Sequence, residues 1–140
     1  MPGKKRVLIV DDEAGVLSLL NLILTKNRFE VLEASSADSA LEMLEHETVD
    51  LVISDITMPG MSGIEFLEEV REWDMDLPVI FVSGQDSSKA RAKGIAGASA
   101  LIAKPFKKDT LLKTVHKVLS SNSPPAEMSL ETEETEKLDY

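Results

Sequence analysis

Short apolar runs alternate with segments of helical period along most of the chain. Val7-Leu8-Ile9-Val10 is continuous and predicts a buried strand. Val16, Leu19, Leu20, Ile23 and Leu24 then recur at the spacing of one helix face. A weaker strand signal covers 30–34, and Ala37, Ala40, Leu41 and Leu44 mark a second helix. Leu51-Val52-Ile53 is a third strand, closed by the turn residues Met58-Pro59-Gly60. Phe66, Leu67 and Val70 share a face within 63–73, and Pro78 precedes a fourth strand over 79–82 that stops at Ser83-Gly84. Residues 87–97 give the poorest helix, with little apolar area and an internal Gly94, and are expected to be a mobile element. A fifth strand covers 100–103. The last helix carries Leu111, Leu112, Val115, Val118 and Leu119 on one stripe, with Asp109 in its first turn.

Strands alternating with helices predict an α/β domain with a parallel sheet covered on both faces and joined by right-handed crossovers. The apolar strand runs are continuous rather than alternating, as strands buried on both sides should be. The periodicity stops after Leu119. Residues 120–125 have linker composition and 126–139 are acidic, so 4–120 reads as one domain and 121–140 as an acidic linker or flexible tail.

Composition narrows the function classes. The chain of 140 residues has no cysteine, which excludes disulfides, thiolate metal sites and a cysteine nucleophile. The first apolar run ends in Asp11-Asp12, no signal-peptide core is present, and no apolar stretch approaches the ~20 residues of a membrane helix. A cytoplasmic protein without membrane contact is expected. The net charge of −10 disfavours direct nucleic acid binding. Residues 89–117, however, carry eight Lys/Arg against Asp109 alone, so that segment can meet an acidic partner. The acidic tail is one candidate for that partner.

The candidate chemistry lies at the carboxyl ends of the strands, where open parallel sheets bind ligands. Asp11 and Asp12 follow strand one, Asp55 follows strand three, Ser83 follows strand four and Lys104 follows strand five. Singly, each has an ordinary explanation: Asp12 as a helix N-cap, Asp55 and Ser83 as turn residues, Lys104 as a surface lysine. Together they bring three carboxylates, a hydroxyl and an ammonium to one rim. Clustered carboxylates repel unless a cation intervenes, and Mg2+ suits a few carboxylates, waters and a phosphoryl oxygen. One carboxylate then serves as nucleophile to form an aspartyl phosphate. Asp55 is the best candidate because it comes from the central region of the sheet.

The segments VLIVDDE, VISDITMPGMSGIEFL, PVIFVSG and IAKPF together resemble the receiver domain of a two-component response regulator, of the single-domain kind related to chemotaxis regulators. The resemblance covers about 4–120. It implies a flavodoxin-like doubly wound sheet of five parallel strands in the order 2-1-3-4-5, with five helices. It implies Asp55 as phosphoacceptor and a Mg2+ site formed by Asp11, Asp12, Asp55 and the backbone carbonyl of Thr57. Ser83 becomes the switch hydroxyl, Lys104 the phosphate-pairing lysine, and Lys104–Pro105 a cis bond. A sensor histidine kinase would be the donor, and an output protein or domain would bind the 84–119 face when 84–106 changes conformation. In one respect the chain departs from the pattern: Leu101 stands where the family usually has Tyr or Phe, which predicts a muted or rerouted conformational change.

Two other classes compete. A phospho-inert receiver-like interaction module would keep the fold and bind partners constitutively; the intact acidic set, Ser83 and Lys104 argue against it. A small aspartyl-nucleophile phosphatase usually has D-x-D after the first strand, whereas here Asp11 and Asp12 are adjacent. The expected catalysis is limited to the domain's own phosphoryl transfer and autodephosphorylation. His46 and His116 read as surface residues, and Met58, Met61 and Phe106 as packing.

Overall fold

The computed structural model describes residues 3–84 and 97–120. The elements in chain order are β1 Arg6–Val10, α1 Ala14–Lys26, β2 Glu30–Ala34, α2 Ala37–His46, β3 Leu51–Ser54, α3 Gly63–Trp73, β4 Val79–Ser83, β5 Ala100–Ala103 and α4 Lys108–Ser120. The five strands form one parallel sheet in the order β2-β1-β3-β4-β5, the flavodoxin-like arrangement that the resemblance implies. The described residues contain four helices. The expected helix at 87–97 falls outside them except for Gly97, a turn residue with φ +90°. The expected tail at 121–140 also lies outside them.

Every residue of β3 and β4 is buried, which explains their unbroken apolar runs. Side-chain alternation divides them between two cores. Leu8, Val10, Val52, Val79 and Phe81 pack with α2 and α3 through Ala37, Ala40, Phe66, Leu67 and Val70. Val7, Ile9, Leu51, Ile53, Ile80 and Val82 pack with α1 and α4 through Leu17, Leu20, Leu24, Leu111 and Val115. The edge strand β2 buries only Ala34 fully, which is why its pattern is weak. Phe106 packs half-buried against the second core, as expected. The apolar stripe of α1 is corrected by one position: Leu17 is buried and Leu19 is 46% exposed. A helix this rich in leucine satisfies the i, i+3, i+4 spacing in more than one rotation, and only the sheet selects one. Among the described residues no helix is long and apolar enough to cross a membrane.

Two local features stand out. The turn after α1 closes like a Schellman motif, with Phe29 N–H donating to Leu24 O at 3.1 Å and Arg28 N–H to Thr25 O at 3.2 Å. Its left-handed position, φ +73°, is held by Arg28 rather than glycine. At the start of α3, Ser62 and Glu65 form a capping box, and Gly63 N–H donates to Ile56 O at 2.7 Å. A Cβ on Gly63 would stand 2.1 Å from the Asp55 carbonyl oxygen and 2.9 Å from Ile56 Cα, so only glycine allows α3 to begin so close to the end of β3.

Arg28→Gly is expected to stabilise the chain by about 1 kcal/mol in urea unfolding, because it removes the left-handed strain. Gly63→Ala is expected to cost about 1–3 kcal/mol, because backbone must move to admit the methyl group. An amide spectrum of Gly63→Ala should show its largest shifts at 54–57.

Candidate functional site

Asp11, Asp55 and Lys104 each stand one position beyond a strand and are still held by the sheet's ladder. Asp11 N–H donates to Ala34 O at 3.2 Å, Asp55 N–H to Val10 O at 3.0 Å, and Lys104 N–H to Ser83 O at 2.7 Å. Ser83 is the last residue of β4, pairs in register with Ala103, and is buried. The register therefore fixes Asp11, Asp55, Ser83 and Lys104 along one edge of the sheet. The Lys104–Pro105 bond is cis.

The carboxylates converge there. Oxygens of Asp11, Asp12 and Asp55 all lie within 4.8 Å of one another, with Asp11 and Asp55 buried and Asp12 exposed. Asp55 Oδ1 accepts from the backbone N–H of Ile56 at 2.8 Å and of Thr57 at 3.4 Å, which leaves Oδ2 facing Lys104 Nζ at 3.4 Å. Asp11 Oδ1 accepts from Glu13 N–H at 2.9 Å, and its Oδ2 accepts from Lys104 Nζ at 3.1 Å. Ser54 Oγ donates to the Asp55 carbonyl at 2.8 Å and steadies the loop. Thr57 is exposed beside the cluster.

These surroundings set the charges. Burial pushes the Asp55 carboxyl above its usual range and Asp11 adds to the effect, while Lys104 and the Thr57 N–H oppose it. Burial works against the Lys104 charge, but the hydrogen bond to Asp11 and the negative charges of Asp55 and Asp11 outweigh it, so its pKa is raised. One ammonium cannot balance three carboxylates. This all-oxygen, anionic donor set fits a hard divalent cation such as Mg2+ and suits softer metals poorly.

The structure thus brings together Asp11, Asp12, Asp55 and Lys104, with Ser83 on the adjoining strand end and Thr57 next to Asp55. Asp12 does not cap α1; that position belongs to Glu13. Met58 is buried in the first core, and Leu101 is half-buried against the same core. His46 and His116 are exposed, the latter with its ring 5.7 Å from that of Phe29. Sequence reasoning missed two participants. Glu13 Oε1 lies 3.6 Å from Lys104 Nζ, and Gly63 supports the Asp55 backbone. The third acid of the Asp11-Asp12-Glu13 run was the available signal for the first.

A raised folded-state pKa means that the folded chain holds the Asp55 proton more tightly than the unfolded chain does. The stability tied to that proton is lost as pH rises through the folded pKa. In chelator and at neutral pH, Asp55→Asn is therefore expected to raise the urea midpoint. The gap to the parent should narrow on acidification, as the parent's Asp55 takes up its proton.

Comparison with known proteins accords with this geometry. Residues 7–116 match the family model described as the response regulator receiver domain. The chemotaxis protein CheY of Bacillus subtilis is 39% identical over 117 residues, covering 82% of this chain and 98% of that protein. The phosphate regulon transcriptional regulatory protein PhoB of Escherichia coli is 33% identical over 125 residues, 87% of this chain but 55% of that protein, so the chain spans about half the length of this relative. The crystal structure of the response regulator TrrA from Thermotoga maritima, in complex with Mg2+–BeF, superposes with a TM-score of 0.75 at 34% identity, covering 81% of this chain and 98% of that one. In fold, rim chemistry and sequence, this chain belongs to the response regulator receiver domains, the signalling switches of two-component systems.

Proposed function

We propose that this chain accepts a phosphoryl group from a sensor histidine kinase on Asp55. The observation that carries the reading is the double contact of Lys104 Nζ, 3.1 Å from Asp11 and 3.4 Å from Asp55, above a cluster of three carboxylates. Asp55 Oδ2 is the nucleophile, since Oδ1 is engaged by two backbone N–H groups. As the ionised oxygen attacks phosphorus, the new O–P bond forms and the bond to the donor's leaving group breaks; Asp55 has no proton to lose. Lys104 then pairs with a phosphoryl oxygen, and the Ser83 hydroxyl is the donor on the adjoining strand. Asp11, Asp12, Asp55 and the Thr57 carbonyl are the residues that would hold Mg2+. When bound, Mg2+ supplies positive charge against the crowded carboxylates and the phosphoryl oxygens.

In this reading 4–120 is the switching unit, 121–140 is an acidic linker or tail, and the 84–119 face addresses the output protein or domain. The protein works in the cytoplasm and hydrolyses its own aspartyl phosphate without turning over other substrates. Half-buried Leu101, opposite Phe81 on β4, has no ring to reorient, which supports a muted change around it.

Incubation with Mg2+ and acetyl phosphate should add one phosphoryl group by intact mass, and neither Asp55→Asn nor chelator-treated protein should gain it. No gain over a range of times, together with no beryllofluoride binding, would overturn the reading in favour of a constitutive interaction module.

A further inference from the structure

We propose that Glu13 is a positioning residue that holds the Lys104 ammonium at the rim, in competition with an incoming phosphoryl group; this rests on the reading of Asp55 as phosphoacceptor. An ammonium has three N–H donors. Around Lys104 Nζ stand three carboxylates, Asp11 at 3.1 Å, Asp55 at 3.4 Å and Glu13 at 3.6 Å. Asp11 and Asp55 belong to the trio suited to a divalent cation, and Glu13 does not. Glu13 is therefore the one acceptor of the three that stays with Lys104 when the other two turn to a cation or a phosphoryl group.

A second observation points the same way. Glu13 occupies the N-cap of α1, where a side-chain oxygen ordinarily accepts from the first turn, yet it makes no such bond. Its backbone N–H is engaged by Asp11 Oδ1 at 2.9 Å, which anchors the residue beside the site. Its carboxylate reaches back to Lys104 instead of over the helix end. The side chains of Glu13 and Lys104 are 64% and 18% exposed, so the pair runs from solvent into the site. A phosphoryl oxygen arriving on Asp55 must draw Lys104 inward against this contact. Glu13 thereby slows acceptance of the group.

The test uses the full chain as wild type, Glu13→Gln, Lys104→Met and the double variant. The rate of phosphoryl gain from acetyl phosphate with Mg2+ is read by intact mass. Glu13→Gln should accelerate the gain roughly twofold to fivefold, the range that partly exposed ion pairs support. The same substitution should change nothing in the Lys104→Met background. An acceleration that persists without Lys104 would mean general repulsion of the anionic donor and would overturn the proposal, as would an unchanged or slower Glu13→Gln. Urea unfolding of the same four proteins in chelator supplies a readout independent of chemistry. The four unfolding constants should be non-additive by a similar factor, and additivity would sink the pairing. If wild type neither gains a phosphoryl group nor binds beryllofluoride, the Asp55 reading fails, whereas the urea cycle still decides whether Glu13 holds Lys104. The same cycle decides if only the Lys104→Met proteins fail to react.

Discussion

Carboxylates crowded at the carboxyl edge of a parallel sheet repel one another, and this chain tolerates the crowding through one lysine. Asp11 and Asp55 are almost wholly removed from water, a costly place for charge unless a partner is at hand. Lys104 contacts both, and its own backbone is fixed to Ser83 by the β4–β5 ladder. Charge density at the rim is thus stored rather than relieved. The oxygens of Asp11, Asp12 and Asp55 are already gathered within 4.8 Å of one another, so a divalent cation would need little reorganisation of them.

Such storage requires a frame that does not yield. β1, β3 and β4 bury apolar side chains on both faces, and the two cores meet α2 and α3 on one side and α1 and α4 on the other. Close-packed interiors have low compressibility and do not absorb strain by small local deformation. The loop after β3 is pinned further by Gly63, Ser54 and the capping box of α3. Adjustment is therefore left to the rim side chains and to the β4–β5 side. There Leu101 shares a core with Phe81, and the guanidinium of Arg71 on α3 grips the Gly97 carbonyl through two contacts, at 2.7 and 3.2 Å.

Much of this was legible in the residues themselves. The unbroken runs of β1, β3 and β4 announce strands buried on both faces, and the polar residue that ends each run marks the rim. Asp11, Asp12, Asp55, Ser83 and Lys104 were identifiable because strand ends in a parallel sheet all face the same way. The stripe of α1 was misjudged at Leu19 because leucine repeats permit several rotations. Glu13 was passed over because an exposed acid at the head of a helix ordinarily has no task beyond the helix dipole.

The sequence by itself determined the order of elements, the sidedness of the sheet and the residue types delivered to its edge, because hydrophobic period and strand polarity are local properties. The tertiary structure alone decided which oxygen of Asp55 is tied down and which faces Lys104, that Gly63 must lack a side chain, and that Glu13 turns to Lys104 rather than to its own helix. These are matters of ångströms between residues dozens of positions apart, such as Lys104 and Asp11, and they exist only once the strand register has closed that distance.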